Sequence, residues 1–487
     1  MPDRRTRPAL LAALAAAAAF LVFVPSLSSA WLNWDDWVMV TRNPHIRGFG
    51  WEQLRWAFAS SPTGAYQPLA FLSYALDFSL WGLDARGYHL TNALLHALNA
   101  ALVFLGARRL MSLASPASPG EPEWALDAGA LFAALAFALH PLRVESVAWI
   151  AERRDALSGA LWLGAVLAYL RAREPGRVPR SLLPVLALFA AACLAKGIAV
   201  TLPVVLLVLD AWPLRRDLRE AFVEKLPMFA LAAGLGALAI VLQADARASW
   251  SWKDHGGAAR LAQAAYALVF YARKTVWPAG LLPFYEMRPP ILPFAPQFLA
   301  SSLLVAAAAA LLWRGRSARP AWAAAAAIYA VVLLPVSGLL QAGSQLVADR
   351  YSYLAALPFA VLAGAGLRAL LRRPEGRAFA LAGAALAAAG LAAGCVVQQS
   401  YWRDSGALWS RVLSRDPSSP TALLNMGTSF IGAGRVAQGA RYFELALAAD
   451  PECEKSLGDR AKLETRPVCR TALNDLGAAR AQLGDLV

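Results

Sequence analysis

Two carboxylates stand side by side between indoles in Trp34-Asp35-Asp36-Trp37, ahead of a long apolar stretch. An interfacial aromatic girdle would account for the tryptophans. It would not account for two acids, which are costly near a membrane unless they are used. A carboxylate so placed can take the proton of an attacking hydroxyl. Asp36 and Asp35 are therefore the candidate catalytic residues, with Asp36 preferred from its place in the motif.

A second cluster, His140 to Asp155, carries Arg143, Glu145, Trp149, Glu152, Arg153, Arg154 and Asp155. On a helix Glu145 and Trp149 share a face, as do Glu152 and Asp155. The same spacing also suits a plain helix-end salt-bridge network. A third cluster is Ala348-Asp349-Arg350-Tyr351-Ser352-Tyr353, and Lys196 and Asp210 bracket an apolar run, Asp210 reading as a cap. Arginine presents a planar fork that suits a phosphate, and aromatic rings stack on sugars and guide lipid. Acid, arginine and aromatic together are what transfer from a lipid-phosphate sugar to a hydroxyl requires.

The elements that must position these groups are membrane helices. Of 487 residues, 58% are hydrophobic and 16% charged, and the apolar residues come in runs of about 20, enough to cross a bilayer. Eleven spans are expected, near residues 8–24, 89–107, 126–139, 156–169, 182–195, 200–212, 226–242, 298–312, 322–340, 353–371 and 378–397. The net charge of +14 could suggest a nucleic-acid partner. Its placement excludes one: clusters at Arg4, Arg5 and Arg7, at Arg108 and Arg109, at Arg171, Arg173, Arg177 and Arg180, at Arg215, Arg216 and Arg219, at Arg314, Arg316 and Arg319, and at Arg368, Arg372, Arg373 and Arg377 follow the positive-inside rule. That rule starts the chain inside, ends it outside, and makes residues 260–283 interfacial or re-entrant, with Arg273 and Lys274 near the headgroups. Ser28-Ser29-Ala30 also fits a signal cleavage site. The glycine strings at Gly234 and Gly364 mimic a dinucleotide fingerprint but read as small-residue helix packing.

The expected domains are residues 1–397, the membrane part, and residues 398–487, a helical tail. Pro417 and Pro451 lie 34 residues apart, the tetratricopeptide period. Leu423, Met426, Gly427, Phe430, Phe443 and Ala446 take that repeat's usual positions, with half-repeats at 401–417 and 473–486. Such helix pairs offer a concave surface for a peptide or protein, or simply cap the membrane part. Cys193 and Cys395 read as small apolar residues. Cys453 and Cys469 flank an insertion in the repeat phase and are expected to pair in an oxidising compartment.

The strings Trp34-Asp-Asp-Trp, Gly87-Tyr-His-Leu-Thr-Asn92, His140 to Asp155, Val200-Thr-Leu-Pro and Ala348 to Tyr353 closely resemble the transmembrane and tetratricopeptide-repeat-containing protein O-mannosyltransferases and their bacterial relatives. The resemblance covers nearly the whole chain and is most specific at 140–155 and 348–353. It implies an all-α, polytopic membrane fold of the GT-C type with a C-terminal tetratricopeptide-repeat domain. It also implies inverting transfer of a sugar, mannose among the candidates, from a dolichyl- or polyprenyl-phosphate donor to an acceptor hydroxyl on protein. The acidic pair maps onto Asp35 and Asp36, and the phosphate-binding arginines onto Arg350 and, less directly, Arg153 or Arg154. Asp349, Glu145, Lys196 and His89 complete the expected donor site. The tail is much shorter than the animal members' arrays, which puts their acceptor in question.

Alanine-rich composition suggests a bacterial chain, multi-pass in the inner membrane, with the tail and site on the periplasmic side. A divalent cation, Mg²⁺ or Mn²⁺, on the paired acids is left open. Two other classes compete: a transporter or flippase for a lipid-linked glycan, and a non-catalytic scaffold presenting the repeat. Transporters place charges near the bilayer midplane and show inverted repeats; here the charges sit at helix ends.

Overall fold

The structure is a computed structural model that describes all residues except 1–5, 63, 117–120, 177, 246–255, 289, 341–342, 451–452, 454–455, 457–465 and 485–487. Arg4, Arg5, Arg177, Pro451, the end of the last half-repeat and most of the 453–469 insertion lie outside the described residues. Among those described, the chain is helical throughout, with one isolated antiparallel bridge, Glu286 to Gln345. Alanine and leucine, strong helix formers, fill the long elements. Proline opens several of them, as in Pro68–Trp81, Pro296–Gly315, Pro320–Leu333, Pro420–Gly432 and Pro467–Leu483. There its missing N–H would have been unpaired in any case.

Ala85–Ala114 is the central helix. Arg7–Phe23 lies along it through Ala12, Ala15 and Ala19, and Glu123–Ala138 and Arg153–Ala172 pack on its other sides. Leu357–Leu371 packs against Glu123–Ala138 where Gly129 and Gly364 meet. A methyl group on Gly364 would stand 2.3 Å from the Gly129 carbonyl oxygen. Small residues thus bring two backbones into contact, as sequence reasoning expects for Gly364. It fails for Gly234, where a Cβ would meet nothing within 4 Å.

Among the described residues, five helices are long and apolar enough to cross a membrane, or eight if each bent pair counts as one span. This is a multi-pass membrane chain, and the remaining expected spans fall on shorter or more polar helices. Leu183–Ala195 and Pro320–Val336 are apolar but short. Arg153–Ala172 starts with three charged residues, and Gly257–Val276 buries Arg260, Gln263 and Lys274 on its packed face.

The bends matter more than the count. Glu123–Ala138 turns by 54° into Pro141–Ala148, and Asp349–Ala355 turns by 56° into Leu357–Leu371. Both signature strings therefore lie on broken helix, where non-helical backbone can face protein instead of lipid.

The tail helices Ser405–Leu413, Pro420–Gly432, Val436–Ala449 and Pro467–Leu483 pack in succession. Gly427 and Gly439 let two of them cross closely: a Cβ on Gly427 would lie 2.5 Å from the Phe443 ring. Cys453 and Cys469 form a disulfide with their Cα atoms 5.6 Å apart.

The tail also grips the acidic loop. The Asn33 N–H donates to Ser405 Oγ (2.9 Å), Asn33 Nδ2 donates to the Asn425 carbonyl (2.7 Å), and Trp409 Nε1 donates to Asn33 Oδ1 (2.8 Å). Tail and acidic loop thus occupy one end of the molecule, whatever the number of crossings.

The glycine contact sets a stability test. Gly364→Leu should force the two helices apart and lower the melting temperature in detergent, since overpacking costs about 1–3 kcal/mol. Gly234→Ala should leave it unchanged or raise it, because alanine is the better helix former and meets no obstacle there. Equal effects of the two would refute the contact.

Candidate functional site

The site is built on the turn from Val147 to Asp155, between the short helix Val144–Ala148 and the long helix Arg153–Ala172. Its carbonyls are spoken for. Asn92 Nδ2 donates to the Val147 and Trp149 oxygens (3.0 and 3.2 Å), and Tyr74 Oη donates to those of Ile150 and Ala151 (3.1 and 3.0 Å). Onto this turn docks the acidic loop. Trp34 stacks on Trp149 at 4.3 Å between ring centroids and touches Trp409 of the tail at 5.3 Å. Trp34 thus joins three segments and is not an open stacking platform.

The two neighbouring acids have opposite fates. Asp36 is 1% exposed; its Oδ2 accepts from the Leu32 N–H (3.0 Å) and its Oδ1 from the Ala151 N–H (2.9 Å). Burial pushes its carboxyl up to about 7 against the pull of those two donors. Both of its oxygens are committed to holding the loop on the turn. Asp35 is half-buried, and its carboxylate has no hydrogen-bond or ion-pair partner among the described residues. Burial raises its pKa, opposed by the nearby positive charges of Arg154 and Arg350.

Beside Asp35 lies a buried charge network centred on Glu152, which is 0% exposed. Arg154 grips it with Nε and Nη2 (3.1 and 2.8 Å), Lys196 Nζ is in contact with it, and Arg350 Nε stands 3.6 Å away. Burial works to raise the pKa of Glu152, but the charges of Arg154, Lys196 and Arg350 outweigh it and hold the group well below its usual range. Lys196 also donates to Asp155 (2.7 Å), which accepts from Ser146 Oγ (2.9 Å). Arg154 Nη1 donates to Gln67 Oε1 (3.0 Å). Arg350 pairs with Glu145 through its side chain, and its backbone N–H donates to the same carboxylate (2.8 Å). Its guanidinium lies 5.6 Å from the Trp149 ring and 4.9 Å from that of Tyr351.

The structure therefore brings together Asp35, Arg154, Arg350, Glu145 and Lys196. Asp349 lies near Glu145 and accepts from Tyr285 Oη (3.0 Å). Two expected donor-site residues are elsewhere. Arg153 is fully buried: Asn92 Oδ1 (2.7 Å), the Ser73 and Tyr88 carbonyls (3.2 and 2.8 Å) and Asp77 (2.5 Å) surround it. It clamps helices and, at 0% exposure, presents no surface to a phosphate. His89 is 2% exposed, packed against the Ser29 backbone. Cys453 and Cys469 belong to the tail.

Sequence reasoning places Glu152 in the second cluster without a donor-site role, and does not single out Gln67 or Tyr285. Glu152 had a signal: Arg154 and Lys196 need a counter-charge when buried. Gln67 and Tyr285 carried none.

In the acidic pair, each oxygen of Asp36 already accepts one backbone N–H, while the Asp35 carboxylate has no hydrogen-bond or ion-pair partner among the described residues. The one grouping of metal-ligand atoms among the described residues is Asp450, Cys453 and Cys469, whose two sulfurs are bonded to each other.

No family model matches the chain. Among curated proteins it is 34% identical over 196 residues to Protein O-mannosyl-transferase Tmtc1 of Drosophila melanogaster, covering 38% of this chain and 21% of that protein. It is 31% identical over 238 residues to Protein O-mannosyl-transferase TMTC1 of Homo sapiens (44% and 25%). To Protein O-mannosyl-transferase Tmtc2 of Drosophila melanogaster it is 37% identical over 187 residues (37% and 18%). The aligned stretches thus span a quarter or less of these relatives' length. Among solved structures, ArnT from Cupriavidus metallidurans bound to undecaprenyl phosphate matches with a TM-score of 0.41 and 16% identity, covering 94% of this chain and 77% of that one. The resemblance carried by the motifs is met by these sequence relatives.

The two acids should separate in a stability experiment. Asp36→Asn turns one amide NH₂ toward a buried backbone N–H that the carboxylate now accepts from, at a cost of about 1–3 kcal/mol. The melting temperature in detergent should fall. Asp35→Asn disturbs no bond and should stay within about 0.5 kcal/mol of the parent protein. A larger loss for Asp35→Asn than for Asp36→Asn would reverse the assignment of anchor and free acid.

Proposed function

We propose that the chain is a membrane glycosyltransferase that moves a sugar from a polyprenyl-phosphate donor to an acceptor hydroxyl, with Asp35 as general base. One observation carries this reading: a half-buried carboxylate without a partner is set beside two arginines, on a loop pinned by its own neighbour Asp36. The printed names of the sequence relatives support mannose as the sugar and protein as the acceptor. A GT-C architecture and a site on the periplasmic face of a bacterial inner membrane belong to the same proposal.

In this mechanism Asp35 takes the proton of the acceptor hydroxyl as its oxygen attacks the sugar's anomeric carbon. The bond from that carbon to the phosphate oxygen breaks, and its electron pair stays on the lipid phosphate. A single displacement inverts the anomeric centre. Arg350 is the phosphate ligand of choice. Glu145 and Glu152 hold its guanidinium in place near Asp35. Arg154, paired with Glu152, adds positive charge near Asp35. The tail, bonded to the Asp35 loop through Asn33, is suited to deliver the protein acceptor.

The assay is transfer from a synthetic polyprenyl-phosphate mannose to peptide. Asp35→Asn should cut kcat by about 10²–10⁴-fold, the usual contribution of a general base, with donor KM little changed. The base must be ionised, so kcat/KM should rise with pH and level off. Because burial raises Asp35, that limb should lie above the ordinary carboxylate value of about 3.9. Undiminished turnover by Asp35→Asn would remove the base from this account.

Arg350→Lys keeps the charge but loses the fork, and Arg350→Ala loses both. Charged hydrogen bonds are worth roughly 1.5–3 kcal/mol, so the alanine variant should bind donor about tenfold to a hundredfold more weakly. Parental donor affinity in Arg350→Ala would move the phosphate site to Arg154 or Lys196.

A further inference from the structure

The catalytic cluster occupies one end of the long helices, and a second feature lies toward the other. A cavity of about 500 Å³ opens between Ala85–Ala114, Arg153–Ala172, Pro320–Leu333 and Leu357–Leu371. Trp162, the wall residue of Arg153–Ala172 nearest Arg153, follows it by about 13 Å at 1.5 Å per residue, and none of the residues around Asp35 lines the cavity. The cavity is therefore separate from the Asp35 site. Its wall is aliphatic, with Val103, Leu110, Leu163, Val205, Ala325 and Ile328 among the lining residues. Its rim is cationic, carrying Arg215, Arg319 and Arg372 from three separate segments, with Trp212 and Trp322 beside them.

Arg372 is already engaged, by Ser115 Oγ (3.0 Å) and Glu121 (3.2 Å). The exposed side chains of Arg215 and Arg319 make no hydrogen bond or ion pair among the described residues. Arg215 is also held in the left-handed region (φ 53°), a conformation that for a non-glycine residue persists where the surroundings over-determine it.

An aliphatic slot in the size range of ligand pockets that ends in unpaired arginines at a tryptophan-marked boundary selects an amphipathic anion. Basic pockets between membrane helices on the positively charged face bind acidic lipid headgroups, and guanidinium forks suit phosphate oxygens. Neutral lipid would fill the slot equally well but would offer the arginines no net charge. We propose that this cavity is a binding site for one anionic phospholipid, its phosphate between Arg215 and Arg319 and an acyl chain in the slot. This does not depend on the chemistry assigned to Asp35.

Native mass spectrometry of the full chain in detergent tests it, using phosphatidylglycerol and phosphatidylcholine as probes. The parent protein should retain one phosphatidylglycerol at least tenfold more readily than phosphatidylcholine. Arg215→Gln/Arg319→Gln, changed only at exposed side chains, should lose that preference while melting as the parent does. Ala325→Phe, which fills the slot, should lose retention of the lipid itself. Equal retention of the two lipids by the parent, or an undiminished preference in the double glutamine variant, would overturn the proposal. If Ala325→Phe fails to fold, the double glutamine variant still decides.

Discussion

Three cations around one buried carboxylate are the constraint from which the site follows. Arg154, Lys196 and Arg350 arrive from different parts of the chain and all face Glu152. Like charges packed together away from water repel strongly, and removing one partner of a buried pair costs roughly 3–5 kcal/mol. Glu152 must therefore stay ionised, and the surrounding positive charge holds it so. Once it does, the turn that carries it, the start of Arg153–Ala172 and the Ala348–Tyr353 segment are tied to one another. The acidic loop then needs only Asp36 and Trp34 to dock on the same turn. What remains uncommitted is the Asp35 carboxylate.

This arrangement divides labour between residues that look alike in sequence. Asp35 and Asp36 are neighbours of the same type, yet Asp36 has both oxygens spent on the backbone. Arg153 and Arg154 are likewise adjacent, and helical geometry sends one into a buried clamp with Asp77 and Asn92 and the other to Glu152. Sequence motifs locate such pairs but cannot rank their members. The ranking depends on which side chain meets a backbone N–H from over a hundred residues away, as Asp36 meets Ala151. The preference for Asp36 as base followed motif position alone; the proposed mechanism uses Asp35 because its carboxylate is the one without a partner among the described residues.

Other features were legible early. Helical, multi-pass architecture follows from runs of apolar residues, and the Gly364 packing from a small-residue string. Hydropathy treats a broken helix as a straight one, and the bends at His140-Pro141 and Ala356 lie at or near the ends of the expected spans, beside the two signature strings. Gly234 shows the same limit, since a small residue permits close packing without causing it. The tail's tie to the acidic loop through Asn33 was invisible because it rests on one asparagine without any motif.

The central claim is that the Glu152-ordered end of the molecule binds the donor phosphate next to a free Asp35. A density map of the full chain with a non-hydrolysable polyprenyl-phosphate sugar analogue tests it most directly. The account predicts the phosphate against Arg350, with the sugar's anomeric carbon facing Asp35 and Asp36 still bonded to Leu32 and Ala151. A phosphate lodged at the opposite, arginine-rimmed end, or an Asp36 released from the backbone to face the sugar, would contradict it.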